Sequence, residues 1–365
     1  MSAHNFTDET DLPQPLPPAF QEVAPGYRLD DPHAAPTLRW GILGAGGIAH
    51  TFAATVSAHS SGQIAAVGSR NLDRARAFAH EFNLPHAYGS YEELVASPHV
   101  DAIYVATPHI RHRDDALLAL RAGKPVLVEK AFTMTAAEAR EVFDEAATRN
   151  LFVMEAMWSR HLPHYRFIRA LIESGAGGQL VAASADHSQW LRHVPRMVRP
   201  ELGGGALLDL GVYPLHFLHH ALGRPTELVA AGLPTGTGVD ASEVILARYP
   251  AALGVASATM DGINSTAGTL TFANLAVELP EQFYRPTVVH LRTFPDRAEG
   301  GTEQLVTTWD ARVPGGFQYQ AAEVARCVAA GLTESPVVTW ADTLDVMEMM
   351  DEVGRQLAAA GTFRE

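Results

Sequence analysis

The chain contains a single cysteine, Cys327, so no disulfide bond can form within it, and such a count is typical of a reducing compartment. Cys327 falls in a predicted amphipathic helix, where we expect a buried and inert thiol. No run of 18 or more apolar residues is present, which argues against a membrane-spanning helix. The N-terminal stretch also lacks the basic segment and apolar core of a signal peptide. We therefore expect a cytoplasmic protein.

Basic residues are scarce as well: 27 Lys and Arg stand against 41 Asp and Glu, which gives a net charge of −14. Nucleic acids and anionic membrane surfaces are bound by clusters of Lys and Arg. Because the chain has no such cluster, we expect neither nucleic acid nor membrane as a partner. A hydrophobic content of 47% is that of a globular protein, and a length of 365 residues predicts two domains.

Glycine is concentrated in one short stretch near the start of the chain, where an apolar segment ends and a helix-forming sequence begins. A strand that turns on glycine into a helix is typical of dinucleotide-binding folds, in which the diphosphate lies on the free N–H groups of the helix N-terminus. Small Ala49 would let this helix pack closely on the strand. The residues that we predict to bind the dinucleotide here are Gly44, Gly46, Gly47 and Ile48.

Apolar strands and amphipathic helices alternate between residues 38 and 154. The segments Val100 to Ala106, Pro125 to Val128 and Leu151 to Met154 lack polar alternation, as expected for strands that are covered on both faces. The alternation predicts an α/β fold with a doubly wound parallel sheet, a Rossmann domain. The acidic, proline-rich residues 1–37 predict a flexible or surface-hugging N-terminal arm.

The pattern changes at about Glu155. Six strand-like segments with short connections lie between Val244 and Thr308, and two helices follow them. Such a succession predicts a second, α+β domain over residues 155–365, with a large, open and mostly antiparallel sheet. Because an open sheet face invites pairing, we expect a homodimer or a dimer of dimers.

The tip of the second strand distinguishes NAD from NADP. NAD-binding domains carry an Asp or Glu there for the ribose 2′-hydroxyl, whereas this strand is followed by Ser69 and Arg70. Arg70 can make a forked contact with a 2′-phosphate and Ser69 can donate a hydrogen bond to it, which favours NADP. In the alternative, Arg70 is solvated and Asp73, one helical turn further on, binds the ribose of NAD.

Ligands of open α/β sheets lie at the carboxyl ends of the strands. A lysine held there against a nicotinamide can orient a substrate hydroxyl and favour its deprotonation, although a lysine at a strand end can also simply reach solvent. The residues that follow two such strands, and that we assign to the cofactor crevice, are Thr107, Pro108, His109, His112, Glu129 and Lys130.

A glycine-rich segment, GGGALLDLGVYPLH, supplies the remaining candidates. If the segment is helical, Asp209, Tyr213 and His216 or His220 share one face. A tyrosine beside a lysine ammonium would have a lowered pKa, so Tyr213 could act as general base for an alcohol. Asp209 would bind substrate hydroxyls or steer Lys130.

Three histidines in this region, His216, His219 and His220, have the spacing of metal ligands on a helix. No acidic or cysteine ligand completes the set, and Pro214 could break the helix. We therefore expect no metal.

Three stretches together resemble the Gfo/Idh/MocA oxidoreductase family: ATPHIRHRDDALLALRAGKPVLVEKAFTMTAAEA, MEAMWSRHLP and GGGALLDLGVYPLHF. The resemblance covers about residues 38–357 and lies with a branch of sugar and dihydrodiol oxidoreductases. It implies a Rossmann domain and an open-sheet domain that pairs with a second copy. It also implies that Lys130 is the family lysine and that Asp209 and Tyr213 are its aspartate and catalytic tyrosine. Trp158 and Arg160 match residues near the cofactor crevice.

One position departs from the family motif Glu-Lys-Pro, because Ala131 follows Lys130. If the family's Lys–Pro bond is cis, alanine disfavours that geometry. Lys130 would then point elsewhere, or the loop would be reshaped.

These observations lead to one main hypothesis and two alternatives. The main hypothesis is an NADP-dependent oxidoreductase that transfers a hydride between nicotinamide and a CH–OH or C=O group of a sugar or cyclic diol. Tyr213 would exchange the proton and Lys130 would position it. The alternatives on the same fold are a non-catalytic NADP-binding regulator and a glycosidase that retains its nucleotide.

Overall fold

A computed structural model describes residues 12–294 and 303–359 of the chain. Six strands lie in its first half: β1 (Arg39–Leu43), β2 (Gln63–Gly68), β3 (His86–Tyr88), β4 (Ala102–Val105), β5 (Val126–Glu129) and β6 (Val153–Ala156). They form one parallel sheet in the order β3-β2-β1-β4-β5-β6. The order reverses between β1 and β4, and ligands bind at the carboxyl ends of the strands beside such a reversal.

Six helices precede or connect these strands: α1 (Pro18–Val23), α2 (Gly47–His59), α3 (Leu72–Glu81), α4 (Tyr91–Val95), α5 (His112–Arg121) and α6 (Ala136–Arg149). Side chains cap three of their N-termini, because Asn71, Ser90 and Thr135 each accept a hydrogen bond from a backbone N–H three residues on. Strands β4, β5 and β6 are buried along their whole length, as their apolar sequences predict.

The second half contains eight strands: β7 (Leu180–Ser188), β8 (Glu227–Pro234), β9 (Asp240–Arg248), β10 (Leu253–Thr259), β11 (Gly268–Phe272), β12 (Leu275–Leu279), β13 (Val288–Thr293) and β14 (Leu305–Asp310). Their order in the sheet is β14-β13-β12-β11-β7-β10-β9-β8. Only β7 and β10 pair in parallel, since the other neighbours are antiparallel. The predicted fold class, a Rossmann domain followed by an α+β domain with a mostly antiparallel sheet, is confirmed.

One face of the large sheet is covered by helices and the other is open. The helices of this half are α7 (Pro163–Ser174), α8 (Val212–Leu222), α9 (Phe317–Ala329) and α10 (Trp340–Ala359). On the open face, apolar side chains stand opposite one another across β8, β9 and β10, with Val229 beside Leu246 and Leu246 beside Val255. The exposed apolar side chains that we call the outer-face cluster are Val229, Val244, Leu246, Leu253 and Val255.

Two details differ from the expectations from sequence. Strand β8 was not predicted, although its apolar and small residues alternate between exposed and half-buried positions as in an edge strand. Pro214 does not break its helix, because it lies in the first turn of α8, directly after a π-helical turn in which the regular i→i−4 hydrogen bonds are already interrupted. A π-helical turn, Leu207–Gly211, directly precedes α8.

The described part of the N-terminal arm packs on the protein. Phe20 is fully buried, with ring centroids 4.9 Å from Phe167 and 5.9 Å from Trp309. The indole N–H of Trp309 donates to the backbone oxygen of Gln14 at 2.8 Å. Residues 12–37 therefore follow the surface-hugging alternative and not the flexible one, while residues 1–11 lie outside the described residues.

Two further observations concern membrane-spanning helices and the single cysteine. Over the described ranges, no helix is both long enough and apolar enough to cross a membrane. Cys327 is buried, as predicted, and burial raises the pKa of its thiol to about 12. A thiol with such a pKa holds almost no thiolate at neutral pH, so it is a poor nucleophile.

Candidate active site

The glycine turn after β1 has the geometry of a phosphate cradle. Gly44 has a φ of +101°, and a Cβ there would lie 2.8 Å from the backbone oxygen of Ala106, so glycine is required. No atom lies within 4 Å of the position that a Cβ would take at Gly46 or Gly47. Gly46 precedes α2 and no side chain caps the helix there. The helix N-terminus thus offers backbone N–H groups and space to an anion.

A cavity of about 860 Å³ opens beside this turn at the carboxyl ends of β1, β4 and β5. Its volume lies within the range of small-molecule sites. Twelve of the residues that were assigned from sequence to the cofactor line it: Gly44, Gly46, Gly47, Ile48, Ser69, Arg70, Thr107, Pro108, His109, His112, Glu129 and Lys130. These residues fit an extended dinucleotide, with the cradle for the diphosphate between the two ends.

One end of the cavity carries positive charge and is the end predicted for the adenosine. Arg70 and Arg74 line it together with Tyr91, and Arg74 and Tyr91 were not predicted from the sequence. Arg74 lies in the first turn of α3, just after the loop that carries Arg70, so its closeness in sequence could have revealed it. Asp73, the alternative contact for NAD, does not line the cavity. Its side chain is 92% exposed and lies 3.7 Å from Arg76.

Lys130 occupies the opposite end. Its Nζ donates to the backbone oxygen of Asp209 at 2.8 Å and lies 3.6 Å from Asp209 Oδ1. The same ammonium lies over the ring of Tyr213, 4.8 Å from its centroid. The Lys130–Ala131 peptide bond is cis, so alanine in place of the family proline does not turn Lys130 away from these two residues.

The Asp209 carboxylate is shared by two cations. Arg196, on a 3₁₀ helix over Pro195–Val198, donates to Oδ1 at 2.9 Å, and Lys130 lies on the same oxygen. Burial opposes ionisation of Asp209, but the charges of Lys130 and Arg196 outweigh it and lower its pKa. Arg196 was missed from sequence because it lies in an irregular loop with no motif.

Tyr213 corrects one expectation. Its oxygen accepts a hydrogen bond from the indole N–H of Trp158 at 3.1 Å, and its pKa is raised well above the ordinary value, not lowered. Burial is the largest cause, followed by the negative charge of Glu129. Lys130 does not reverse this effect because its ammonium faces the ring and not the oxygen.

His109 and His112 are both buried beside the crevice. Burial, and then the neighbouring His112, lower the pKa of His109 to about 3. The ring nitrogens of His112 lie 2.8 and 2.9 Å from the backbone oxygens of Thr107 and Ala131. His112 therefore connects the loops that follow β4 and β5, and so helps to place Lys130.

Two other sets of sequence candidates lie away from the cavity. Arg160 is buried, and its guanidinium contacts the backbone oxygen of Val337 at 3.1 Å and Asp342 at 3.4 Å, so it is not brought to the cofactor crevice. Trp158 does not line the cavity either, and its indole N–H contacts the hydroxyl oxygen of Tyr213, which also lies outside the lining. The three histidines that have the spacing of metal ligands contact three different groups. His216 contacts the carboxylate of Glu155, His219 that of Asp345, and His220 the backbone oxygen of Tyr165.

Two family models match the chain. The model of the oxidoreductase family with an NAD-binding Rossmann fold, GFO_IDH_MocA, matches residues 38–157, and that of the GFO/IDH/MocA C-terminal domain matches residues 165–271. The chain is also 36% identical over 326 residues to trans-1,2-dihydrobenzene-1,2-diol dehydrogenase of Mus musculus, which covers 88% of this chain and 97% of that protein. The chain belongs to the Gfo/Idh/MocA oxidoreductase family.

Other relatives in this family carry related names. D-xylose 1-dehydrogenase (NADP(+)) of Hypocrea jecorina is 35% identical over 365 residues, which covers 88% of this chain and 92% of that protein. Among solved structures, the 3-ketoreductase KijD10 of Actinomadura kijaniata, in complex with NADP and TDP-benzene, matches with a TM-score of 0.77 and 26% identity. That match covers 88% of this chain and 98% of KijD10.

The buried carboxyl of Glu129 generates a pH prediction. Burial raises its pKa to about 7, although the Tyr104 hydroxyl donates a hydrogen bond to it. The folded protein therefore holds this proton more tightly than the unfolded chain, and stability is lost as pH rises from about 4.5 to about 7. We expect Glu129→Gln to be free of this loss. The free energy of unfolding of the variant, relative to that of the parent, should therefore rise by about 3 kcal/mol between these pH values.

The measurement is the free energy of unfolding by urea at several pH values for both proteins. A difference in the free energy of unfolding between the two proteins that stays the same at acidic and neutral pH would contradict the prediction.

Proposed function

We propose that this member of the family is an NADP-dependent dehydrogenase of sugars or cyclic diols. The observation that carries the proposal is the pairing of Lys130 with Asp209 at one end of a dinucleotide cavity, with the ring of Tyr213 directly behind the Lys130 ammonium. The names of the relatives, which include a dihydrodiol dehydrogenase and a D-xylose dehydrogenase, support a polyol substrate.

The chain's own residues supply proton transfer and orientation. Acceptance of a hydride from the carbinol carbon, and its return to the carbonyl carbon in reduction, is the chemistry that a nicotinamide would supply when bound beside Lys130. Tyr213 holds the exchanged proton at its hydroxyl oxygen, as base in oxidation and as acid in reduction. Lys130 holds positive charge beside the developing alkoxide, and Asp209 fixes Lys130 and can accept a hydrogen bond from a second substrate hydroxyl.

A preference for NADP is supported by the other end of the cavity. Ser69, Arg70 and Arg74 lie together there, and Asp73 faces away from the cavity. Two guanidinium groups can bind a 2′-phosphate by charge-assisted hydrogen bonds, whereas no carboxylate lies there for a free 2′-hydroxyl. Arg70 also lies beside the Tyr91 hydroxyl, which favours a fixed orientation of its guanidinium.

Replacement of Tyr213 by Phe tests the proposed chemistry. We expect turnover of NADP with D-xylose or trans-1,2-dihydrobenzene-1,2-diol to fall by about 10²- to 10⁴-fold, because the proton has no acceptor. The affinity for NADPH should stay unchanged, since Tyr213 does not line the cofactor cavity. Steady-state rates and a fluorescence titration with NADPH measure the two quantities.

Full turnover by the Tyr213→Phe variant would remove this residue from the chemistry. NADPH binding by the parent without turnover of any polyol in a broad panel would favour the non-catalytic regulator instead.

We also propose that two copies pair through the open face of the large sheet. The outer-face cluster presents neighbouring apolar side chains on three strands, each at least 38% exposed. Under two-fold symmetry a second copy presents the same apolar cluster, so that each copy can bury the cluster of the other. The resemblance to a family that pairs through this sheet supports the proposal.

Leu246→Glu places a charge at the centre of the outer-face cluster. We expect the parent to have twice the chain mass of 39.3 kDa in solution and the variant to have a single chain mass, because an unpaired charge cannot be buried in the interface. Leu332→Glu, at an exposed position between α9 and α10, is the matched control and should stay dimeric. Light scattering after size exclusion measures the masses, and a parent of 39.3 kDa would refute the proposal.

A further inference from the structure

Trp158 connects the segment after the parallel sheet to α8 at the Tyr213 hydroxyl. It begins a 3₁₀ helix, Trp158–His161, two residues after the last strand of the parallel sheet, whereas Tyr213 belongs to α8 of the second domain. Its indole N–H reaches the Tyr213 oxygen at 3.1 Å, and both side chains are about 95% buried, with 5% and 6% exposed. Water therefore does not compete for this hydrogen bond.

The indole is held in place from its other side. It stacks on Phe317 of α9, with ring centroids 4.6 Å apart and an angle of 22° between the planes. Gly316, whose φ is +126°, lies against the same ring, and a Cβ there would be 2.6 Å from Trp158 Cζ3. Stacking and this close backbone approach leave the indole one orientation, in which its N–H points to Tyr213.

We propose that Trp158 is a positioning residue that fixes the Tyr213 oxygen and keeps the hydroxyl proton available to the substrate. The inference rests on the proposed role of Tyr213 in proton transfer. An indole N–H can donate but cannot accept a hydrogen bond. The Tyr213 proton therefore cannot be given to Trp158, and the O–H is left to point toward the reacting oxygen.

The same hydrogen bond strengthens when Tyr213 loses its proton. A donor to an anionic oxygen is shorter and stronger than a donor to a neutral one, so Trp158 favours the phenolate that accepts the proton of an alcohol. It acts against burial and negative charge, which raise the pKa of Tyr213. The other titratable groups that face or influence Tyr213 are Tyr104, Glu129, Lys130, Tyr165, His187, Asp209 and Tyr284.

Trp158→Phe removes the N–H and keeps an aromatic ring on Phe317. For oxidation of D-xylose or trans-1,2-dihydrobenzene-1,2-diol by NADP, we expect kcat at neutral pH to fall by about tenfold to a hundredfold, the effect of one hydrogen bond to a charged group. The rise of kcat with pH should move to higher pH, so that activity partly recovers in alkali. The affinity for NADPH should not change.

Trp340→Phe is the matched control. Trp340 also stacks on a phenylalanine, Phe143, at 5.2 Å and 20°, and also donates its indole N–H, to the backbone oxygen of Val153 at 2.9 Å. It lies outside the cavity lining. Trp340→Phe should lose about as much stability as Trp158→Phe does. Its pH profile of kcat should be the same as that of the parent. Equal pH profiles for the parent and Trp158→Phe would overturn the inference.

A second measurement does not depend on turnover or on the folding of the Trp158 variant. The chain has five tryptophans, so protein labelled with ¹⁵N in the indole ring gives five indole N–H signals. In Tyr213→Phe, the signal of Trp158 should move upfield because its acceptor oxygen is lost, while the other four stay. Five unmoved signals would overturn the inference. A moved signal together with full turnover by Tyr213→Phe would instead overturn the proposed function.

Discussion

A buried carboxylate between two cations is the constraint on which the active site depends. Asp209 lies on the π-helical turn before α8, Lys130 on the loop after β5, and Arg196 on a loop of the second domain. Burying the Asp209 carboxylate alone would cost several kcal/mol, so it is held where the mostly buried Lys130 and the more exposed Arg196 meet. The ion pairs thereby join three segments from two domains and place Lys130 over Tyr213.

The cavity that results has two ends with different tasks. At one end, arginines and a serine follow β2 and surround space suited to a phosphate. At the other, the Asp209 carboxylate and the Lys130 ammonium meet against the Tyr213 ring, and buried His112 joins the loops that follow β4 and β5. The glycine cradle lies between the ends, and its N–H groups would hold the diphosphate of a bound dinucleotide.

Local sequence rules were sufficient for much of this arrangement. The glycine turn, the strand ends at Thr107 and Glu129, and the arginine after β2 are adjacent in sequence to the elements that position them, so pattern and topology together bring them to one edge of the sheet. Helical spacing in one glycine-rich segment, and then the motif resemblance, singled out Asp209 and Tyr213, which only tertiary contacts bring to Lys130. Whether the N-terminal arm is flexible or packed on the surface depends on the contacts of Phe20 with Phe167 and Trp309, which lie far away in the sequence.

Orientation could not be predicted in the same way. Lys130 was expected to lower the pKa of Tyr213, but its ammonium lies over the ring, the pKa is raised, and the oxygen accepts a hydrogen bond from Trp158. Arg160 and Trp158 are two residues apart in one motif, yet one is directed to Asp342 and the other to Tyr213. Such differences depend on side-chain packing against helices that lie more than fifty residues away, and periodicity carries no information about it.

The central claim is that the cavity binds NADP with Arg70 at the 2′-phosphate. A fluorescence titration with NADPH and NADH tests it most directly, on the parent, on Arg70→Ala and on Arg76→Ala. The last variant removes an exposed arginine of the same helix region that pairs with Asp73 outside the cavity, and serves as the control. The account predicts tighter binding of NADPH than of NADH by the parent, a loss of about tenfold or more for NADPH alone in Arg70→Ala, and no change in Arg76→Ala. Equal binding of both nucleotides, or a preference for NADH that Arg70→Ala leaves in place, would contradict it.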